Sequence, residues 1–274
     1  MPIRYPFSRI LLATELTEFD AGAERIAFAM AQRCGVPLRV VIPMLSNPEF
    51  EADMPDLALQ AEREVGKRIE LFRQRAGAAD VTLDIHIRRG AAPHPEIVAE
   101  AQEAHSDLIV IRRRGKPSFL AKLLVGEMVS KVVRDVSCSV LLVPRAAEFW
   151  SHGIVAAIGD TDAAQKIAGI AGTIAGICGL PLTVLSVAED SGALPRAQSI
   201  NTLAVAVASV PASNAGGRVV VGKPVEQTIA AVREAGADLV VIGRQRYHLL
   251  PFGKAGNMQH IVGAADVPTL IVPA

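Results

Sequence analysis

The stretch DLIVIRRRGKPSFLAKLLVGE, Asp107 to Glu127, decides the fold, because the chain writes it a second time as DLVVIGRQRYHLLPFGKAGN, Asp238 to Asn257. In each copy an aspartate opens a short aliphatic run, the run stops at arginine and glycine, and a helix-like segment with its own glycine follows. Working outward, Cys34-Gly35-Val36-Pro37-Leu38 recurs as Cys178-Gly179-Leu180-Pro181-Leu182, 144 positions on. Leu142-Val143-Pro144 likewise recurs as Ile271-Val272-Pro273. The DLIVI run is displaced by only 131 positions, so the second copy is shorter in its middle. Self-similarity at this period means one unit written twice.

Within the first copy, pattern and punctuation predict strands over 9–14, 38–44, 81–87, 108–111 and 139–143, with helices over 20–33, 55–75, 95–104 and 121–134. Strands alternating with helices imply a parallel sheet covered on both faces. The expected class is α/β: two repeated, open, five-stranded parallel-sheet sandwiches of Rossmann-like type. They occupy residues 1–148 and 153–274, joined near Glu148 to Gly153. A ligand of such a sheet sits beyond the carboxyl ends of the strands, where strand order reverses. The loops after the first and fourth strands of each copy are therefore the places to search.

Composition narrows the classes. The chain has 274 residues, half of them hydrophobic, with 28 basic and 28 acidic residues and a pI near 7.0. A balanced charge removes the electrostatic case for broad nucleic-acid or anionic-membrane binding. Three widely spaced cysteines, Cys34, Cys138 and Cys178, fit neither a disulfide framework nor a zinc site, and are read as packing residues in a reducing compartment. The N-terminus meets acidic residues too early for a secretory signal, and a cytoplasmic location is expected. Ile167 to Ala188 runs 22 residues without a charge, but Gly179-Leu180-Pro181 would break a helix there, so no membrane span is expected. Forty of the 56 charged residues lie in the first 150 positions. The segments Ala163 to Ile177 and Ser199 to Val210 are apolar on nearly every face and are expected to press against the first half or a second chain.

After the fourth strand, the first copy reads Arg112, two residues, Gly115, ten residues, Gly126, Glu127. The second reads Gly243, two residues, Arg246, nine residues, Gly256, Asn257. Glycine there lets backbone N–H groups approach a ligand, and the following helix start adds partial positive charge, which is phosphate-binding logic. The tandem unit, the DLIVI and DLVVI strands, the glycine loops and the closing CSVLLVP and VPTLIVP resemble the universal stress protein family over nearly the whole chain. That resemblance implies a stress-response regulatory protein that takes ATP or another adenine nucleotide such as AMP, with weak ATP hydrolysis at most. It also implies an internal pseudo-dimer of the two halves through their last strands, and a homodimer as a further assembly.

Nucleotide-binding members of the family carry Gly, two residues, Gly, nine residues, Gly, then Ser or Thr, plus an Asp at the end of the first strand. Both halves depart from this. In the first, Arg112 replaces the first glycine, Glu127 the hydroxyl residue and Glu15 the strand-one Asp. A carboxylate at 127 repels a triphosphate. In the second, Arg246 replaces the middle glycine and Asn257 the hydroxyl residue, while Gly159 aligns with Glu15 and Asp160 follows one position late. The second half is therefore the better candidate, with Asp160, Gly243, Arg246, Gly256, Asn257 and Met258 as its nucleotide contacts. Glu15, Gly115, Gly126 and Glu127 are the weaker set in the first.

The arginines admit two readings. Arg112, Arg113, Arg114 and Lys116, or Arg244, Arg246 and Lys254, can grip phosphate, or they form a solvated loop or fill the nucleotide's space, with Glu127 pairing an arginine of its own loop. No general base is identifiable, and the six histidines show no metal-ligand spacing, so neither a catalytic residue nor a metal site is assigned. The segment GRVVVGKP, Gly217 to Pro224, has P-loop spacing, but Pro224 stands where a hydroxyl should bind Mg²⁺. The alternative to a nucleotide-responsive regulator is a nucleotide-independent scaffold with degenerate pockets.

Overall fold

The computed structural model describes residues 5–46, 53–113, 126–159, 163–244 and 257–273. The first half contributes strands β1 (Ile10–Ala13), β2 (Leu38–Leu45), β3 (Leu83–Gly90), β4 (Leu108–Arg112) and β5 (Ser139–Val143). Between them lie helices α1 (Ala21–Cys34), α2 (Pro55–Ala78), α3 (Pro93–Glu103) and α4 (Glu127–Asp135). The second half repeats the order with β6 (Ile154–Ile158), α5 (Ala164–Cys178), β7 (Leu182–Ala188), α6 (Leu194–Ser209), β8 (Ala215–Val221), α7 (Pro224–Glu234), β9 (Leu239–Gly243), α8 (Asn257–Ala264) and β10 (Thr269–Val272).

The strands form one sheet of ten, in the order β3-β2-β1-β4-β5-β10-β9-β6-β7-β8. Every pair is parallel except the central one, where β5 meets β10 antiparallel in the register Leu142 to Thr269, Leu141 to Leu270 and Val140 to Ile271. The halves thus join through their last strands, as the family resemblance implies. Alternation of side chains across this seam feeds two continuous cores. Leu141, Val143, Leu270 and Val272 enter the core that also holds α1, α2, α5 and α6 residues. Val140, Leu142 and Ile271 enter the other, with α3, α4, α7 and α8.

The repeated sequence signals have physical explanations. Asp107, which opens the DLIVI run, accepts from the backbone N–H groups of Ser8 at 2.8 Å and Arg9 at 3.0 Å, tying the entry of β1 to that of β4. Asp238 does the same for Ser151 at 2.6 Å and Gly153 at 3.2 Å ahead of β6. Burial alone would raise the Asp238 carboxyl, but the donors from Ser151, His152 and Gly153 outweigh it and hold it low. Gly35 and Gly179 stand just past α1 and α5 with φ of 64° and 67°, a left-handed cap that glycine adopts without a Cβ penalty. The uncharged run from Ile167 is accordingly helix, cap and strand. No helix among the described residues is long and apolar enough to cross a membrane. The P-loop-like segment lies in β8 and the start of α7.

Of the two apolar segments, the one ending in Val210 leaves Leu203 and Val210 exposed. Helix α5 finds most of its cover inside its own half, with Tyr5 of the first half meeting Cys178 Sγ at 3.3 Å at its end. It packs on the sheet and on α6, and small residues allow backbone-to-backbone approach. A Cβ on Gly172 would lie 2.6 Å from the Ala208 carbonyl oxygen, and one on Gly176 only 2.0 Å from that of Pro211. Gly169, one turn earlier, has 3.4 Å to a Val207 methyl. Gly176→Ala is therefore expected to lower stability by about 3 kcal/mol through forced separation of the helices. Gly169→Ala is expected to be neutral or to gain up to ~1 kcal/mol from helix propensity. Urea unfolding of the two variants side by side checks this, and equal midpoints would refute the close-packing account.

Candidate functional site

In each half, strand order reverses between the first and fourth strands, at β1/β4 and at β6/β9. The first-half crevice is built from the end of β1, the turn Thr14 to Asp20, the end of β4 and the start of α4. The turn has no glycine, and Leu16 takes a left-handed φ of 54°, which costs about 1 kcal/mol and is held by its N–H donating to the Thr14 hydroxyl at 2.9 Å. Thr17 and Asp20 cap the 3-10 turn Glu18–Asp20. Asp20 is 1% exposed and accepts from the Thr17 N–H at 3.0 Å and its hydroxyl at 2.8 Å.

Into this frame Arg112 turns inward from the last residue of β4. Its Nη2 lies 2.7 Å from Glu15 Oε2, its Nε 3.2 Å from Asp20 Oδ1, and its Nη1 donates to the Thr17 hydroxyl at 3.2 Å. The side chain is 14% exposed. Around it remains a cavity of about 10 Å³, bordered by Ala13, Thr14, Pro43, Ile97, Ile111 and Met128. That is room for one water molecule, against the ~300 Å³ or more of an ordinary ligand pocket. Glu15, assigned from sequence as a nucleotide contact, is the ion-pair partner of Arg112. Glu127 pairs with Lys131 at 2.7 Å along its own helix, which supplies a partner other than the loop arginine expected for it. Hydrogen bonding to Lys131 lowers the Glu127 carboxyl below its usual range. Gly126 precedes α4 as its N-cap, and Gly115 lies outside the described residues, as do Arg114 and Lys116.

The second half is arranged differently at the same positions. The register that sets Arg112 beside Val143 sets Gly243 beside Val272, so glycine occupies the place from which Arg112 turns inward. Opposite it, Gly159 follows β6 where Glu15 follows β1, and a Cβ there would meet nothing within 4 Å. Neither half of the ion pair exists here. Met258 is 6% exposed and belongs to the core with Ile261 and Val262, so only its backbone is available to a ligand at the helix start. Asn257 begins α8. Asp160, Arg246, Gly256 and Lys254 lie outside the described residues, as does the side chain of Asn257.

For two of the arginines that admitted both a phosphate-gripping and a structural reading, the contacts are structural. Arg113 donates from Nη1 to the carbonyls of Val262, at 2.9 Å, and Ala265. Arg244 donates from Nη1 to those of Val133, at 2.9 Å, and Val136. Each caps the last helix of the opposite half. Sequence reasoning missed these caps, and also Thr17 and Asp20. The Thr-x-x-Asp spacing of a capping box and the retention of arginine directly after β4 and β9 in both copies were the available signals. Burial pushes the Cys34 and Cys138 thiols up to about 11, so they are protonated at neutral pH. Among the described residues no cluster of three or more His, Cys, Asp or Glu side chains forms a metal site.

A model described as the universal stress protein family matches residues 6–144, just over half of the chain. No curated protein matches. Among solved structures, a universal stress protein from Archaeoglobus fulgidus superposes with a TM-score of 0.72 at 16% identity, covering 97% of this chain and 98% of that one. A functionally unknown protein from Pseudomonas aeruginosa superposes with a TM-score of 0.70 at 19% identity, covering 97% and 92%. At these identities the likeness shows the fold, and it extends over both halves.

Proposed function

We propose, on the premise that the chain belongs to the universal stress protein family, that it is a stress-response regulator whose second half takes an adenine nucleotide while its first half is closed by its own arginine. The observation that carries this reading is the contrast at one repeated position. Arg112 and Glu15 pair in the first crevice, and Gly243 and Gly159 stand in their places in the second. In this reading Gly243 and Gly256 admit the phosphates, and the helix start at Asn257 and Met258 offers backbone N–H groups. Arg246 adds positive charge, and Asp160 meets the sugar or base.

The direct test is to denature freshly purified protein, identify any released small molecule by mass spectrometry, and titrate ATP, ADP and AMP by calorimetry. A near-stoichiometric nucleotide, or saturable heat lost on Gly256→Asp, is expected. Absence of both favours the second reading, a nucleotide-independent scaffold, which the ion-paired closure of the first crevice already supports. A homodimer would use a surface other than the edges of β5 and β10 that already pair with each other.

A further inference from the structure

The arginine following each ligand-loop strand reaches out of its own half. The N–H of Arg113 donates to the Val143 carbonyl at 2.7 Å, and that of Arg244 to the Val272 carbonyl at 2.7 Å. Each backbone is thereby fixed to the end of its own seam strand, while the guanidinium crosses to the other half. There it meets the final carbonyls of a helix, which have no intrahelical donor and carry the negative end of the helix dipole. The two contacts match atom for atom: Nη1 of Arg113 on Val262 and Ala265, Nη1 of Arg244 on Val133 and Val136. These carbonyls occupy corresponding places in α8 and α4. Both arginines are partly buried, and Asp266 at 3.8 Å from Arg113 is a fully solvated neighbour that adds little.

The opposite ends of those helices are their starts, at Glu127 and Asn257. Met128, in the first turn of α4, lines the cavity beside Arg112, and α8 begins at Asn257 directly after the second half's loop. Each helix is about 12 to 14 Å long at 1.5 Å per residue, so one short rod spans from the helix start to the arginine. Arg113 is also the neighbour of Arg112, and Arg244 of Gly243.

We infer that Arg113 and Arg244 are positioning residues exchanged between the halves, each holding the helix that closes the opposite half's crevice, so that the two crevices are coupled across the β5–β10 seam. The consequence for ligand affinity rests on the reading that the second half takes an adenine nucleotide. The exchange of arginines itself does not.

Hydrogen–deuterium exchange on the full chain separates the two statements. Arg113→Met is expected to speed amide exchange in the last turn of α8 by roughly tenfold, the effect of losing charge-assisted hydrogen bonds, while leaving α4 unchanged. Arg244→Met is expected to do the reverse. Acceleration confined to the mutated half, or spread evenly over both halves, overturns the exchange. In ATP calorimetry, Arg113→Met is expected to weaken binding by about tenfold although the residue lies in the other half, with Arg113→Lys restoring part of the loss. Unchanged affinity in Arg113→Met overturns the coupling. A wild-type protein that binds no adenine nucleotide removes the nucleotide reading, and the exchange pattern then decides the clasp by itself.

Discussion

Gly243→Arg together with Gly159→Glu is expected to abolish adenine-nucleotide binding by the second half, raising Kd by at least ~100-fold in calorimetry. The expectation comes from the repeat. Position 243 holds the same place in the β9–β10 ladder that position 112 holds in β4–β5, and in the first half a guanidinium from that place leaves room for a single water molecule. A Cβ at 243 would already lie 2.7 Å from the Ile167 Cδ1 methyl, so the substituted side chain must also displace the end of α5's isoleucine. Expelling an ion-paired arginine costs on the order of 3 kcal/mol, which at 1.4 kcal/mol per tenfold gives the stated factor. Pairing the change with Gly159→Glu supplies the missing carboxylate and makes the closure complete. Retained affinity in that double variant would place any nucleotide site elsewhere.

A large effect on stability is also expected at Glu100. This α3 residue has a side chain with no exposure, yet it holds Arg39 Nε at 2.5 Å and Arg88 beside it, with His86 Nδ1 at 3.7 Å. The two arginines rise from β2 and the edge strand β3, so one carboxylate clamps the sheet edge to its covering helix. Removing one partner of a buried pair leaves the others short of their charge, and Glu100→Gln is expected to cost about 3 kcal/mol in urea unfolding. The dependence on pH has a definite direction. Burial alone would raise the Glu100 carboxyl, but hydrogen bonds from Arg88 and Arg39 outweigh it and hold the group below its ordinary value of 4.5. A carboxyl depressed in the folded state contributes fully above its unfolded pKa and loses that contribution as pH falls through the folded one. The stability gap between wild type and Glu100→Gln should therefore be constant near neutrality and shrink below about pH 4.5. A gap that widened in acid would rule out the depressed carboxylate.

Much of the architecture was legible in the sequence because it rests on local physics. Alternation of β-branched runs with amphipathic segments placed the strands and helices of the first half to within a few residues, apart from the start of α4. The recurring Cys-Gly and Asp-Leu signals marked helix caps and strand entries whose chemistry is carried by neighbours in the chain or by one fixed contact. The crevice was located for the same reason, since strand order in a parallel repeat follows from right-handed crossovers. The occupancy of that crevice was not legible. Arg112, Glu15 and Asp20 were each visible, but a charged loop reads the same whether its guanidinium faces a phosphate or a carboxylate 97 positions away in the chain.

What the sequence by itself determined is the doubled α/β unit and the positions where a ligand loop stands, because periodicity and turn chemistry act over a few residues; the seam came from the family resemblance. Only the tertiary structure decided that Arg112 pairs with Glu15 and Asp20 at the first crevice, that α5 is covered by α6, and that the guanidinium groups of Arg113 and Arg244 reach the opposite half. Those contacts join residues about 35 to 150 positions apart, and a side chain's partner across such a distance is chosen by the packing of the whole sheet.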